Sequence, residues 1–231
     1  LQFYGILLFR MELNEVDKNQ LGVQYMQDGN LEAAAKAFNE AINENPQDPV
    51  AYINFGNVLA ALGEDEKALK FFQKAIELDE NAAAAYYSAG SLCFNKELYS
   101  DAKIMFENAL KKGLDSSDNY FMLGLTLVRL EQGKLALAYL QRAVELDAAD
   151  AEARFQYGLC LAQLELIDEA MKQFENCIKL DANHSDAYYN LGVSYAFKED
   201  YVKAMEYFDK ALAIQPDHLL AGHAKTIIEQ S

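Results

Sequence analysis

The sequence predicts an all-α solenoid, and three regularities predict it. Six glycines (Gly22, Gly56, Gly90, Gly124, Gly158 and Gly192) stand 34 residues apart with no insertion or deletion between them. When each unit is numbered from seven residues before its glycine, column 20 is alanine every time: Ala34, Ala68, Ala102, Ala136, Ala170 and Ala204. Within each half of the unit, apolar residues recur at spacings of three and four, the spacing of one helical face. A unit this short cannot bury its own apolar face and must stack on its neighbours, so the chain is one elongated domain with a continuous core.

Each element follows from the columns. In the first half, columns 4, 7, 8 and 11 form the apolar face of helix A, as in Tyr52, Phe55, Gly56 and Leu59 or in Tyr188, Leu191, Gly192 and Tyr195. In the second half, column 24 is large (Phe38, Phe72, Phe106, Leu140, Phe174, Phe208) and column 27 small (Ala41, Ala75, Ala109, Ala143, Cys177, Ala211), the face of helix B. The glycine and the column-20 alanine are expected to meet, as small residues that let A and B approach. A turn near columns 14 to 16 separates the helices, read from Asp28-Gly29-Asn30, Leu62-Gly63-Glu64, and Glu97, Glu165 or Glu199. Cap-type residues precede the A helices: Asp48, Asn81, Ser116, Asp150, Asn183 and Asp217.

The units therefore run 15–48, 49–82, 83–116, 117–150, 151–184 and 185–218. Residues 219–231 continue with Leu219, Leu220, Ala224, Ile227 and Ile228 apolar, and are expected to form a thirteenth, solvating helix that closes the stack. Residues 1–14 lie outside the repeat. Met11-Glu12-Leu13-Asn14 looks like a natural start, so residues 1–10 read as a cloning scar or a mis-set start; the rival reading is the tail of a truncated membrane anchor.

These columns resemble the tetratricopeptide repeat, whose signature is a bulky residue, Leu-Gly and Tyr in helix A, then Ala, Phe and Ala in helix B, often with a closing proline. The resemblance covers Glu15 to His218. Departures are few: the proline survives at Pro46 and Pro216, column 4 is Lys18 and Arg154 in two units, and Gly133 stands at the start of one B helix. The resemblance implies a right-handed superhelix whose concave groove is lined by columns 2, 5, 6, 9, 12 and 13 of the A helices.

Composition narrows the partners. With 20 Lys+Arg against 36 Asp+Glu, the net charge is -16, which repels phosphate backbones and anionic lipid and favours neutral or basic protein segments. Nucleic acid and membrane are therefore not expected as partners. Three cysteines form no closed disulfide set, and Cys93 and Cys177 fall in core columns, so a reducing cytoplasm is the expected compartment. Three histidines, no phosphate-binding glycine pattern and no nucleophile motif give no converging catalytic group, cofactor site or metal site. His184 and His218, both in column 34, read as solvated turn residues.

The expected binding residues lie on the groove columns. Column 5 supplies Tyr87, Phe121, Phe155 and Tyr189, and column 6 supplies the carboxamides Asn54, Gln156 and Asn190, interrupted by Ser88 and Met122. A carboxamide both donates and accepts, which suits the backbone of an extended peptide. Asp118, Glu152 and Asp186 in column 2 form an acidic edge, relieved by Arg129. The lysine and asparagine clamp by which one branch of the family grips C-terminal carboxylates has no match here, since column 5 holds no lysine and column 6 no basic residue. The chain thus resembles small soluble all-repeat adaptors of bacteria, non-catalytic modules that hold a peptide segment of a partner. A ligand-responsive regulator sensing a small peptide, and a scaffold using its convex face, are the alternatives.

Overall fold

The computed structural model describes residues 17–230, so the expectations for residues 1–14 lie outside the described residues. Thirteen α-helices and no strand occupy that stretch: α1 (Lys18–Gln27), α2 (Leu31–Glu44), α3 (Pro49–Ala61), α4 (Asp65–Leu78), α5 (Ala83–Asn95), α6 (Tyr99–Lys111), α7 (Ser117–Arg129), α8 (Gly133–Leu146), α9 (Ala151–Gln163), α10 (Ile167–Leu180), α11 (Ser185–Phe197), α12 (Tyr201–Ile214) and α13 (Leu219–Gln230). Odd-numbered helices α1 to α11 are the A helices and even-numbered ones the B helices. Packing is densest inside each A–B pair and continues from each B helix to the next A helix. Successive A helices also touch (α1 with α3, α3 with α5, α5 with α7, α7 with α9), whereas successive B helices make no comparable contact. The stack therefore bends toward its A helices, whose outer columns make the inner face.

The two helix types differ because their surroundings differ. An A helix such as α3, PVAYINFGNVLAA, meets neighbours on several sides and is apolar nearly all round. A B helix such as α4 buries Ala68, Phe72 and Ala75 and turns its lysines and glutamates to water.

The column-24 side chain is the centre of every unit. Phe38, Phe72, Phe106, Leu140, Phe174 and Phe208 are all fully buried. A Cβ on Gly158 would lie 2.6 Å from Cε1 of Phe174, and the other five glycines face their own column-24 side chains in the same way. The glycine makes room for the column-24 side chain, and at Gly192 a Cβ would also stand 3.1 Å from the carbonyl oxygen of Ala204 in column 20.

The A–B turn imposes a left-handed residue in column 15 of every unit: Gly29 and Gly63 at φ 74° and 77°, then Glu97, Glu131, Glu165 and Glu199 at φ 59° to 62°. Such a residue lets the next amides return to the helix end, as when the N–H groups of Glu97 and Leu98 reach the carbonyls of Phe94 and Cys93, each at 2.9 Å. Between units, the caps agree with expectation at Asp48, Ser116 and Asp150. They differ at Asn81, Asn183 and Asp217, where the cap position falls one residue later, on Ala82, His184 and His218. The amides of Asn81 and Asn183 are instead held by Asp79 and Asp181 Oδ1, each at 2.9 Å, in short side-chain turns. In the first unit the helix starts at column 4, capped by Asp17.

One junction departs from the rest. Helix α6 stops at Lys111, Gly113 turns the chain at φ 96°, and column 3, alanine at Ala51, Ala85, Ala153 and Ala187, is Asn119. Asn119 is fully buried, and its Nδ2 donates to the carbonyls of Leu114 at 3.1 Å and Phe106 at 3.4 Å. At the far end, α13 packs on α12 through Ala221, Ala224 and Ile228. It leaves Leu219 and Leu220 exposed at 86% and 59%.

Candidate functional site

The inner face is almost free of charge. Among its described residues, columns 2, 5, 6, 9, 12 and 13 carry only Asp118, Arg129, Glu152 and Asp186 as charged groups, in a chain of net charge -16. The charge has been placed on the B helices and turns, leaving rings, amides and aliphatic groups on the A side.

Two of the three acidic residues are engaged by histidines of the same unit. His184 Nδ1 accepts the Ala187 amide at 3.2 Å and so caps α11, while its Nε2 lies 3.6 Å from Glu152 Oε2 and its ring 4.4 Å from that of Phe155. His218 repeats the arrangement: Nδ1 accepts from Ala221 N–H at 3.2 Å, Nε2 is 3.1 Å from Asp186 Oδ1, and the ring packs 5.2 Å from Tyr189. Accepting at Nδ1 fixes the tautomer with hydrogen on Nε2, which faces the carboxylate. The reading of these histidines as solvated turn residues is therefore corrected. His218 is only 6% exposed. Column 34 is the cap column, and an imidazole there, in place of Asp or Ser, was the signal in the sequence. In the fourth unit that column holds Asp150, so Asp118 has no imidazole opposite it.

His184 holds the Glu152 carboxyl below the usual carboxylate range, with Gln156 adding to the effect. A depressed carboxyl contributes stability above its unfolded value of 4.5 and loses it as the pH falls through the folded value. The denaturation midpoint of the parent should therefore exceed that of Glu152→Gln at neutral pH, with the gap closing in acid. A constant gap across that range would show that the pair contributes nothing.

The aromatic column divides. Tyr87, Phe121 and Tyr189 are half-buried and offer an edge to the groove, with Tyr87 and Tyr189 resting on Phe106 and Phe208 at 5.7 and 5.8 Å. Phe155 does not. It is 7% exposed, enclosed between Phe174 and the His184 ring, and it acts as core. Burial, and then the charge of Asp118, push the Tyr87 phenol up, so it remains a neutral O–H donor. Of the amides, Gln156 donates to Glu152 Oε1 and Asn190 to the carbonyl of Asp186, each at 2.8 Å, which leaves their carbonyl oxygens as acceptors. Asn54 is half-buried beside Asn19, Gln20, Val23 and Val50.

A cleft of about 490 Å³ opens between α3 and α5, lined by Asn57, Ala60, Ala61, Tyr87, Ser88, Ser91 and Asn95 and bordered by the Lys96–Asp65 ion pair at 2.7 Å. Sequence reasoning named Tyr87 but missed this cleft, which exists because columns 6, 9, 12 and 13 are small or short there. A larger cavity of about 610 Å³ lies between the A–B turn of the fourth unit and the end of α9, where Gly133 leaves open space beside Leu135 and Leu164.

All three cysteines are buried, and burial pushes the Cys93 and Cys160 thiols up. Among the described residues, no three of His, Cys, Asp and Glu come together as a metal site, and no helix is long and apolar enough to cross a membrane.

Comparison with known proteins decides the family. The crystal structure of YrrB, described as a TPR protein with an unusual peptide-binding site, superposes with a TM-score of 0.78 at 55% identity, over 83% of this chain and 99% of that one. This chain belongs to the tetratricopeptide repeat family. The tetratricopeptide repeat profiles match residues 25–89 and 185–218, and the profile of anaphase-promoting complex, cyclosome, subunit 3 matches residues 95–177. The curated TPR repeat-containing protein YrrB of Bacillus subtilis (strain 168) aligns at 55% identity over 41 residues, 18% of this chain; in that alignment the chain spans a fifth of the relative's length. The Pseudomonas aeruginosa pilF structure shares the fold at TM-score 0.80 and 18% identity, over 90% of this chain and 95% of that one. Tetratricopeptide repeat proteins are protein-interaction modules, and this one is an all-α repeat solenoid of that kind.

Proposed function

We propose that the chain is a non-catalytic adaptor that holds an extended peptide segment of a partner protein against its inner face. The observation that carries this reading is the exclusion of charge from that face in a chain of net charge -16. A low-charge surface of rings, amides and aliphatic groups is cheap to desolvate. The free amide oxygens of Gln156 and Asn190 and the phenol of Tyr87 supply acceptors and a donor for a peptide backbone. The peptide-binding site ascribed to YrrB supports the same reading. Asp118, the one inner-face carboxylate with no histidine, favours a basic side chain in the ligand, and the compartment that suits the buried free thiols is the cytoplasm.

Affinity capture from the native extract with the parent beside Tyr87→Ala/Phe121→Ala/Asn190→Ala tests it. Phe155 is left intact because it belongs to the core. Partners bound by the parent and lost by the variant, with circular dichroism unchanged, are the expected result. Partners retained by the variant would move binding to the B-helix face.

A further inference from the structure

The cleft between α3 and α5 has a chemistry distinct from the rest of the inner face. Its side-chain polar groups that are not ion-paired are neutral: the carboxamides of Asn57 and Asn95, the hydroxyls of Ser88 and Ser91, and the Tyr87 phenol. The side chains of Asn57, Ser88 and Asn95 make no hydrogen bond to another described residue. The charged groups at the rim, Lys96 and Asp65, are committed to each other at 2.7 Å. The lining itself offers a cationic side chain no free carboxylate and an anionic one no free cation, so a charge buried in the cleft would lose water without a partner there. An apolar side chain would strand the serine and asparagine groups. What matches the lining is a flat, uncharged group that both donates and accepts and that lies against the Tyr87 ring.

Resting on the reading of the inner face as a peptide groove, we propose that this cleft selects an asparagine or glutamine side chain of the bound segment. The repeat itself shows what removes such a site. At the next junction the columns of Ala60 and Ala61 hold Phe94 and Asn95, and the columns of Ser88 and Ser91 hold Met122 and Leu125. Two alanines face two serines in these columns only between the second and third units, so the cleft fixes the register of a ligand along the groove.

Panning displayed random peptides of about twelve residues, roughly 40 Å when extended, on the parent and on Ser88→Met/Ser91→Leu tests this. The variant borrows side chains the chain already carries at the same columns, and circular dichroism verifies its fold. The parent is expected to select Asn or Gln at one fixed position among apolar neighbours, and the filled variant to keep the neighbours and lose that preference. A synthetic consensus peptide should bind the parent about tenfold more tightly than its analogue with Leu at that position, a difference of about 1.4 kcal/mol, and the variant should bind both equally. A charged residue selected at that position, or a carboxamide preference that persists in the filled variant, overturns the cleft assignment and leaves the groove intact. A library that yields no peptide on the parent removes the groove reading itself, and this inference with it.

Discussion

Phe174→Ala is expected to cost about 3–5 kcal/mol, the range for emptying a fully buried aromatic site. Phe174 is 0% exposed and sits in the cluster that joins Phe155, Leu161 and Ala170 to Ala187 and Leu191 of the next unit, so the loss should be felt across the fifth and sixth units. Gly158→Ala alone should also destabilise, by about 1–3 kcal/mol of overpacking, because its Cβ would stand 2.6 Å from the ring. Combined, the two changes should cost less than their sum. With the ring gone, the new methyl enters the vacated space and alanine gains about 1 kcal/mol over glycine as a helix former. Denaturant unfolding of the four proteins in a double-mutant cycle gives the coupling. Strict additivity would show that the column-8 glycine serves something other than the ring.

The second large effect is a gain. Glu97, Glu131, Glu165 and Glu199 hold a left-handed conformation in which a side chain costs about 1–2 kcal/mol, while the first two units put glycine at the same column. Replacing all four with glycine should stabilise the fold by about 2–4 kcal/mol after the extra chain entropy of glycine is subtracted. Alanine in the same positions keeps the strain and serves as the control. If the glycine and alanine series unfolded at the same denaturant concentration, the gain would belong to the lost negative charge and the strain account would fail.

Helix pairing, the core columns and the turns were legible because each is dictated by contacts inside one unit, and six copies of a unit repeat the same message. The site was legible only in outline. Phe155 and Tyr189 share column 5, yet one is core and the other a partly open wall. Each lies between a column-24 phenylalanine and a column-34 histidine, so neither the column nor these ring partners set the exposure by themselves. The histidines were misread because a cap formed by an imidazole nitrogen has no side-chain oxygen to announce it. The cleft at Tyr87 was invisible for a related reason. It is made by four short residues on two helices, and an absence of volume leaves no motif.

The buried carboxamide at the third junction sets how this chain can be edited. Elsewhere the contact column holds alanine, at Ala51, Ala85, Ala153 and Ala187, and the turn before it is held by a side-chain oxygen of Asn45, Asp79, Asp147 or Asp181. Between the third and fourth units, Asn119 is matched to carbonyls of Phe106 and Leu114, on a loop shaped by Gly113. Excision or duplication that parts them strands two carbonyls on one side and seats a carboxamide in an alanine's place on the other. For shuffling, duplication or graded truncation, these two units form a single indivisible cassette, while the second and fifth units, which carry both the alanine and the turn side chain, can be exchanged one at a time.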